Sequence, residues 1–378
     1  MVPFFVIILC FPFSNAFASL FYQYGLYVYD FFFLMAFLVL IKNNFLHGAN
    51  FYRSPFLYLI ALLVLYSLVG SYFEVDKYYI RDFRLIIFTV ECYILFYFFY
   101  YFGGLTKNKV FFFIIISSLS NIVYFTLLYL GFFTFEDQYY LNNSFRYFDI
   151  STYISLVYFS FSSLFVSEKC KLYYLTLILT FFCVVFAGSR VLILASLIVL
   201  LVLNYRFIIR HIFTITTLSF VLITYFSASE YQLIDRLLNI SPSIIFDHLY
   251  IRYEPFFLLL DSFSLKNYLI GGGFGTVFEI PWFEYRDVTI DPVNNFIDIT
   301  FLTLYAKLGF FSIPLVFVYY LYFIRAFKMA NYHSPNILKM VLIIFITLLM
   351  LVYSIPYQAS SIGLLLGLYF INCLAVKK

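Results

Sequence analysis

The stretch VFFFIIISSLSNIVYFTLLYLGFF, residues 110–133, holds no charged residue and follows directly on Lys107 and Lys109. About 20 apolar residues carry a helix across a bilayer, and this run is longer than that. Working outward from it, apolar runs bounded by charge clusters recur at 2–20, 22–41, 55–73, 85–103, 150–167, 172–187, 190–205, 211–228, 296–323, 338–355 and 359–376. The chain as a whole is 64% apolar, and its 378 residues include 23 Lys+Arg and 19 Asp+Glu. That composition supplies roughly 12 spans and leaves little for a soluble core. It excludes intrinsic disorder, nucleic-acid binding and a large cytosolic domain. The expected fold is all-α: one integral membrane domain over residues 1–378, polytopic, with about 12 transmembrane helices. Ala16-Phe17-Ala18 resembles a cleavage site, but no Lys or Arg precedes Lys42, so 2–20 reads as an uncleaved first span.

Basic residues set the expected orientation. With the N-terminus cytoplasmic, the inner loops hold 13 basic residues, among them Lys42, Lys107, Lys109, Lys171, Arg206, Arg325 and Lys378. The short outer loops hold 5, namely Lys77, Arg81, Arg84, Arg146 and Arg190. This bias puts both termini in the cytoplasm. One long loop, 229–295, then lies outside, which is the periplasm of a Gram-negative cell. Loops of this length are usually functional. It carries nine acids and four basic residues, a net charge of −5, together with Trp282, the chain's one tryptophan. No cysteine staples it, so it must fold against the bundle.

Four constellations carry candidate chemistry. Gly188-Ser189-Arg190 sets an arginine at a tight outer turn, either as a snorkelling helix end or as a guanidinium able to grip a lipid-linked phosphate by bidentate hydrogen bonds. Arg252, in a helical segment with Glu254, reads as a solvated ion pair or as a second such group. The glycine-rich Leu269-Ile270-Gly271-Gly272-Gly273-Phe274-Gly275 is either a flexible turn or a backbone nest for an anion; no βαβ context makes it a dinucleotide site. Asp291-Pro292-Val293-Asn294-Asn295 leads into the tenth span, its Asx residues either capping a helix or meeting a sugar hydroxyl. Inside that span Lys307 lies near the midplane and needs a partner, for which Asp30 and Glu91 are the intramembrane acids available. The five cysteines and four histidines match no metal-ligand spacing. The aromatics, 55 Phe and 38 Tyr, spread through every span and read as packing.

Taken in order, Gly188 to Leu194, Arg252, Leu269 to Gly275, Asn294 to Ile297 and Lys307-Leu308-Gly309 resemble the bacterial O-antigen polymerases of the Wzy type and the related O-antigen ligases. The ligases have a His-Asn motif where this chain reads Asn294-Asn295, and an amide does not titrate, so the departure favours polymerase. A flippase of the same lipid-linked sugar is the competitor from another class; it needs polar groups along a path through the bundle. The resemblance implies a glycosyltransferase that joins polyprenyl-diphosphate-linked oligosaccharide repeat units, for O-antigen or capsule, on the periplasmic face of the inner membrane. It implies neither metal nor cofactor, because the diphosphate is already a good leaving group. Its partners would be the lipid-linked oligosaccharide, membrane lipid, a chain-length regulator and other polysaccharide assembly proteins. Arg190 and Arg252 would neutralise the departing diphosphate. Asp291, with Glu254 as second choice, would deprotonate the acceptor hydroxyl. Asn294, Asn295, Gly271 and Gly273 would bind substrate.

Overall fold

The computed structural model describes residues 55–70, 76–101, 105–130, 148–165, 171–210, 242–281, 292–327 and 335–375, with scattered positions in 26–42 and at 132, 213 and 217. The expected spans 2–20 and most of 22–41 and 211–228 lie outside the described residues, as do 229–241 and 282–291 of the long loop.

Among the described residues the chain is mostly helical, with α1 at Pro55–Gly70, α2 at Lys77–Tyr101, α3 at Lys107–Tyr129 and α4 at Ile150–Phe161. Next come α5 at Lys171–Phe186, α6 at Arg190–Leu203 and α7 at Tyr205–Arg210. The described part of the long loop supplies α8 at Pro242–Asp261, α9 at Leu265–Ile270 and two short strands, β1 at Phe278–Glu279 and β2 at Val293–Asn294. The chain ends in α10 at Thr300–Leu308, α11 at Ser312–Ala326, α12 at Pro335–Met350 and α13 at Ile362–Leu374. Among the described residues, two stretches, Lys107–Leu127 and Thr300–Ala326, are long and apolar enough to cross a membrane by length and composition.

Polarity is arranged with charge inward and apolar surface outward. Asp82, Arg84, Glu91 and Lys307 are buried, whereas Leu65, Ile313, Phe317 and Met340 stand more than half exposed. A water-soluble bundle has the reverse pattern.

Helix α4 is the centre of the bundle, touched by α3, α5, α6 and α13 and buried along nearly its whole length. Asp149 starts it with a capping box: its carboxylate accepts from the Thr152 N–H while the Thr152 hydroxyl accepts from the Asp149 N–H. Asn121 of α3 donates to the same carboxylate at 3.0 Å. Helix α13 crosses α4 through two glycines one turn apart, Gly363 and Gly367. A Cβ on Gly363 would lie 2.3 Å from the Ile150 carbonyl oxygen, and one on Gly367 would lie 2.9 Å from the Val157 Cβ. Small residues at that spacing let two helix backbones approach closely.

The reversal between α5 and α6 turns on Gly188, whose φ of +56° suits glycine. Helix α2 starts earlier than the span expected from residue 85, with Asp76 accepting from the Tyr79 N–H at 2.7 Å. Lys77, Arg81 and Arg84, counted above in an outer loop, are therefore helical.

The described part of the long loop packs on the bundle at the α10 end. Helix α8 contacts α10 and β1, and α9 sits on α10 and the one-turn break Gly309–Phe311 that separates α10 from α11. Strands β1 and β2 pair antiparallel, Phe278 opposite Asn294, so the two limbs of the loop come back together.

Candidate active site

The residues singled out from the sequence fall into a buried polar hub and a more open mouth beside it. The hub is built on Asp82 and Lys307, both without solvent exposure, with the ammonium 2.6 Å from Asp82 Oδ2. The same ammonium donates to the Thr276 carbonyl at 2.8 Å. Asp82 also accepts from the Gly275 N–H at 2.8 Å and from the Asn295 amide at 2.9 Å. Lys307 thus pairs with Asp82, in place of Asp30 or Glu91. Those two acids converge instead on Arg84, at 2.6 and 3.0 Å, in a second buried network.

The glycine-rich turn closes over the hub. Gly272 and Gly273 donate their N–H groups to the carbonyls of Ala306 and Lys307 at 2.8 and 2.9 Å, and Gly271 donates to Asn267. Gly271 has φ +78°, and a Cβ there would sit 2.3 Å from the Lys307 backbone carbonyl. Only glycine tolerates both the conformation and the approach. The N–H groups of Gly271, Gly272, Gly273 and Gly275 are spent within the protein, and the anion the turn meets is the protein's own Asp82. Its role here is to lock the long loop to α10.

Asn295, buried, is likewise occupied by Asp82. Asn294 lies in β2, half-buried, and its side-chain oxygen accepts from the Asn295 N–H at 2.9 Å. Neither caps α10, whose N-cap is Ile299.

Beyond Asn295 the chain reaches the mouth. Thr303 braces this segment, accepting from the Ile297 N–H at 3.2 Å and donating to its carbonyl at 3.0 Å. Thr300 donates to the Tyr353 carbonyl at 2.5 Å and accepts from the Ile355 N–H at 3.0 Å. Between these braces stands Asp298, half-exposed, 3.8 Å from the Nε of Arg252. Arg252 also donates to the Val352 carbonyl at 3.4 Å. Its partner is thus Asp298 rather than Glu254, which lies two residues along the same helix and points elsewhere on it. Helix α8 carries Pro255 one turn after Arg252, where the missing N–H opens the backbone ladder.

From the opposite side, the Ser189 hydroxyl hydrogen-bonds the Tyr353 hydroxyl. Ser189 is the N-cap of α6, so Arg190, partly exposed, opens its helix beside this contact. Segments 189–190, 252, 298–300 and 352–353 thereby converge, though far apart in sequence. Phe148, Tyr153 and Tyr353 form an aromatic wall, with ring centroids 5.0 to 6.5 Å apart, and Tyr153 donates to Gln358 at 2.9 Å. In the same loop, burial, with the Asp82 charge nearby, pushes the Tyr357 hydroxyl well above its ordinary range, so it stays a proton donor. Phe296 stacks on that ring at 5.4 Å.

Asp291 and Trp282 lie outside the described residues. Among the described residues no three His, Cys, Asp or Glu side chains gather as metal ligands would. Sequence reasoning missed Asp82, Asp298 as the partner of Arg252, and the aromatic wall. Only Asp82 left a signal: an acid between Arg81 and Arg84 at the start of an apolar run.

A family model described as a family of unknown function, DUF6369, matches residues 1–377. No curated protein matches the chain, and no solved structure does.

Proposed function

The chain belongs to this family of unknown function, and from its residues we propose that it is a polytopic inner-membrane polymerase of lipid-linked oligosaccharides, with about 12 spans and both termini cytoplasmic. It would join polyprenyl-diphosphate-linked repeat units of O-antigen or a related surface polysaccharide on the periplasmic side. One observation carries the reading: the start of α6 with Arg190, Arg252 on α8, the Asp298–Thr300 segment and Tyr353 meet at one mouth. A guanidinium beside a carboxylate, with hydroxyls, an aromatic wall and the helix start at Arg190, suits a substrate that is diphosphate at one end and sugar at the other. The outward apolar surface and the buried charges support immersion in a membrane.

In this reading Arg190 and Arg252 hold the donor diphosphate and offset the charge that builds on it as the glycosidic bond breaks. Such pre-aimed donors are worth about 3 kcal/mol, roughly a hundredfold in rate. The aromatic wall would stack on a sugar face, and the hub fixes the mouth by tying α2, the long loop and α10 together. Arg→Ala at either position should abolish long chains while the protein stays in the membrane at its normal level, and Lys should restore them only in part. Full chain length in both alanine variants would reduce the two arginines to helix-end residues and remove the reading's support.

A second reading, a transporter of the same lipid-linked sugar, draws on buried charges among the described residues: Asp149, which caps α4, and the group Asp30, Asp82, Arg84, Glu91 and Lys307. The latter five form two closed networks, whereas a transport path needs charges strung along the bundle.

A further inference from the structure

We propose that Asp298 is the group that takes the proton from the acceptor hydroxyl, and that Arg252 covers it until a lipid-linked diphosphate draws the guanidinium away. The inference rests on the polymerase reading above and adds the base to it.

The observations concern position, access and pairing. Asp298 is held from both sides: Asn295 is anchored on Asp82, Ile297 is braced by Thr303, and Thr300 is bonded to the backbone of Tyr353 and Ile355. A group fixed this firmly is presented at a constant place, which proton transfer from a bound hydroxyl requires. Its side chain is nevertheless 39% exposed, against 0% for Asp82. Asp82 already accepts from Lys307, Asn295 and Gly275, which leaves no room for a substrate hydroxyl. The Asp298 carboxylate is also within electrostatic reach of Tyr153, a member of the aromatic wall.

The pairing with Arg252 has the character of a cover. At 3.8 Å the contact is longer than a hydrogen bond, and the two side chains are 30% and 39% exposed. Pairs of this kind are weak and exchange at little cost. A diphosphate offers the same guanidinium two oxygens and more charge, so it outcompetes the carboxylate. Donor binding would then draw Arg252 away from Asp298 Oδ2.

The transfer step balances. The acceptor hydroxyl oxygen bonds to the anomeric carbon of the donor sugar. The bond from that carbon to the diphosphate oxygen breaks, its electron pair leaving with the diphosphate. The hydroxyl proton passes to Asp298, which returns it to water once the lipid diphosphate has left.

Two measurements on the full-length protein test this. In nanodiscs titrated with undecaprenyl diphosphate, Asp298→Asn should bind about threefold more tightly than the wild type, because Arg252 loses its competing partner. In cells the same variant, present at normal level, should lose long chains, and Asp298→Glu should keep part of them. Wild-type chain length in Asp298→Asn overturns the assignment of the base. Unchanged or weaker diphosphate binding by that variant overturns the covering role of Arg252. If the wild type itself fails to bind the diphosphate, the polymerase reading falls and this inference with it.

Discussion

Replacing Lys307 by methionine keeps the length of the side chain and removes its charge. Asp82 would keep two donors, the Asn295 amide and the Gly275 N–H, but lose the countercharge 2.6 Å away in a place with no solvent exposure. Breaking a buried pair from one side costs about 3–5 kcal/mol, because the remaining charge is left uncompensated. At roughly 2 °C per kcal/mol for a chain of this size, the melting temperature should fall by about 6–10 °C. The double variant Asp82→Asn, Lys307→Met removes both charges while the asparagine oxygen still accepts from Gly275. Its remaining cost is one mismatched amide facing Asn295 and, as in the single variant, the Thr276 carbonyl without its donor, about 1–2 kcal/mol. It should therefore melt above the Lys307→Met single variant, by about 2 kcal/mol or more, and cost well under the sum of the two singles. Thermal unfolding of the purified protein in detergent, followed by loss of the monodisperse peak, reads this out. A single variant melting within about 2 °C of the wild type, or a double variant at the sum of the two singles, would refute the hub.

The glycine positions should respond sharply. Gly271→Ala meets the Lys307 backbone and a φ of +78° at once, and Gly363→Ala meets the Ile150 carbonyl; each should cost about 2–3 kcal/mol or more in detergent melts, because backbone cannot move aside as a side chain can. Reporter fusions at Lys109, Lys171, Arg210 and Lys378 should read cytoplasmic, and at Asp137 and Lys266 periplasmic; a cytoplasmic signal at Lys266 would remove the mouth from the side where the chemistry is proposed.

The helices were legible because apolar runs ended by charge leave little choice of structure, and the tight reversal at Gly188 was marked by its residues. The start of α2 was not. Lys77, Arg81, Asp82 and Arg84 look like loop residues, because charge density marks the edge of an apolar run whether or not the helix continues. In the fold Asp82 faces inward to Lys307 and Arg84 to Asp30 and Glu91, pairings that only tertiary packing reveals. Lys307 was recognisable as a charge in need of a partner, and its partner was not. Arg190 and Arg252 could be named from the chain, yet nothing in the spacing told that Tyr353 would meet Ser189 and Val352 would meet Arg252. Phe148, Tyr153 and Tyr353 were hidden among 55 Phe and 38 Tyr. Asn295 read as a sugar contact because an exposed amide and a buried one look alike in sequence.

The polymerase reading is tested most directly by deleting the gene and separating the cell's surface polysaccharide on a gel. A polymerase loss leaves a single repeat unit on the lipid core, with the long-chain ladder gone and restored by the wild-type gene but not by Arg252→Ala. Bare core, or an unchanged ladder, would contradict the account.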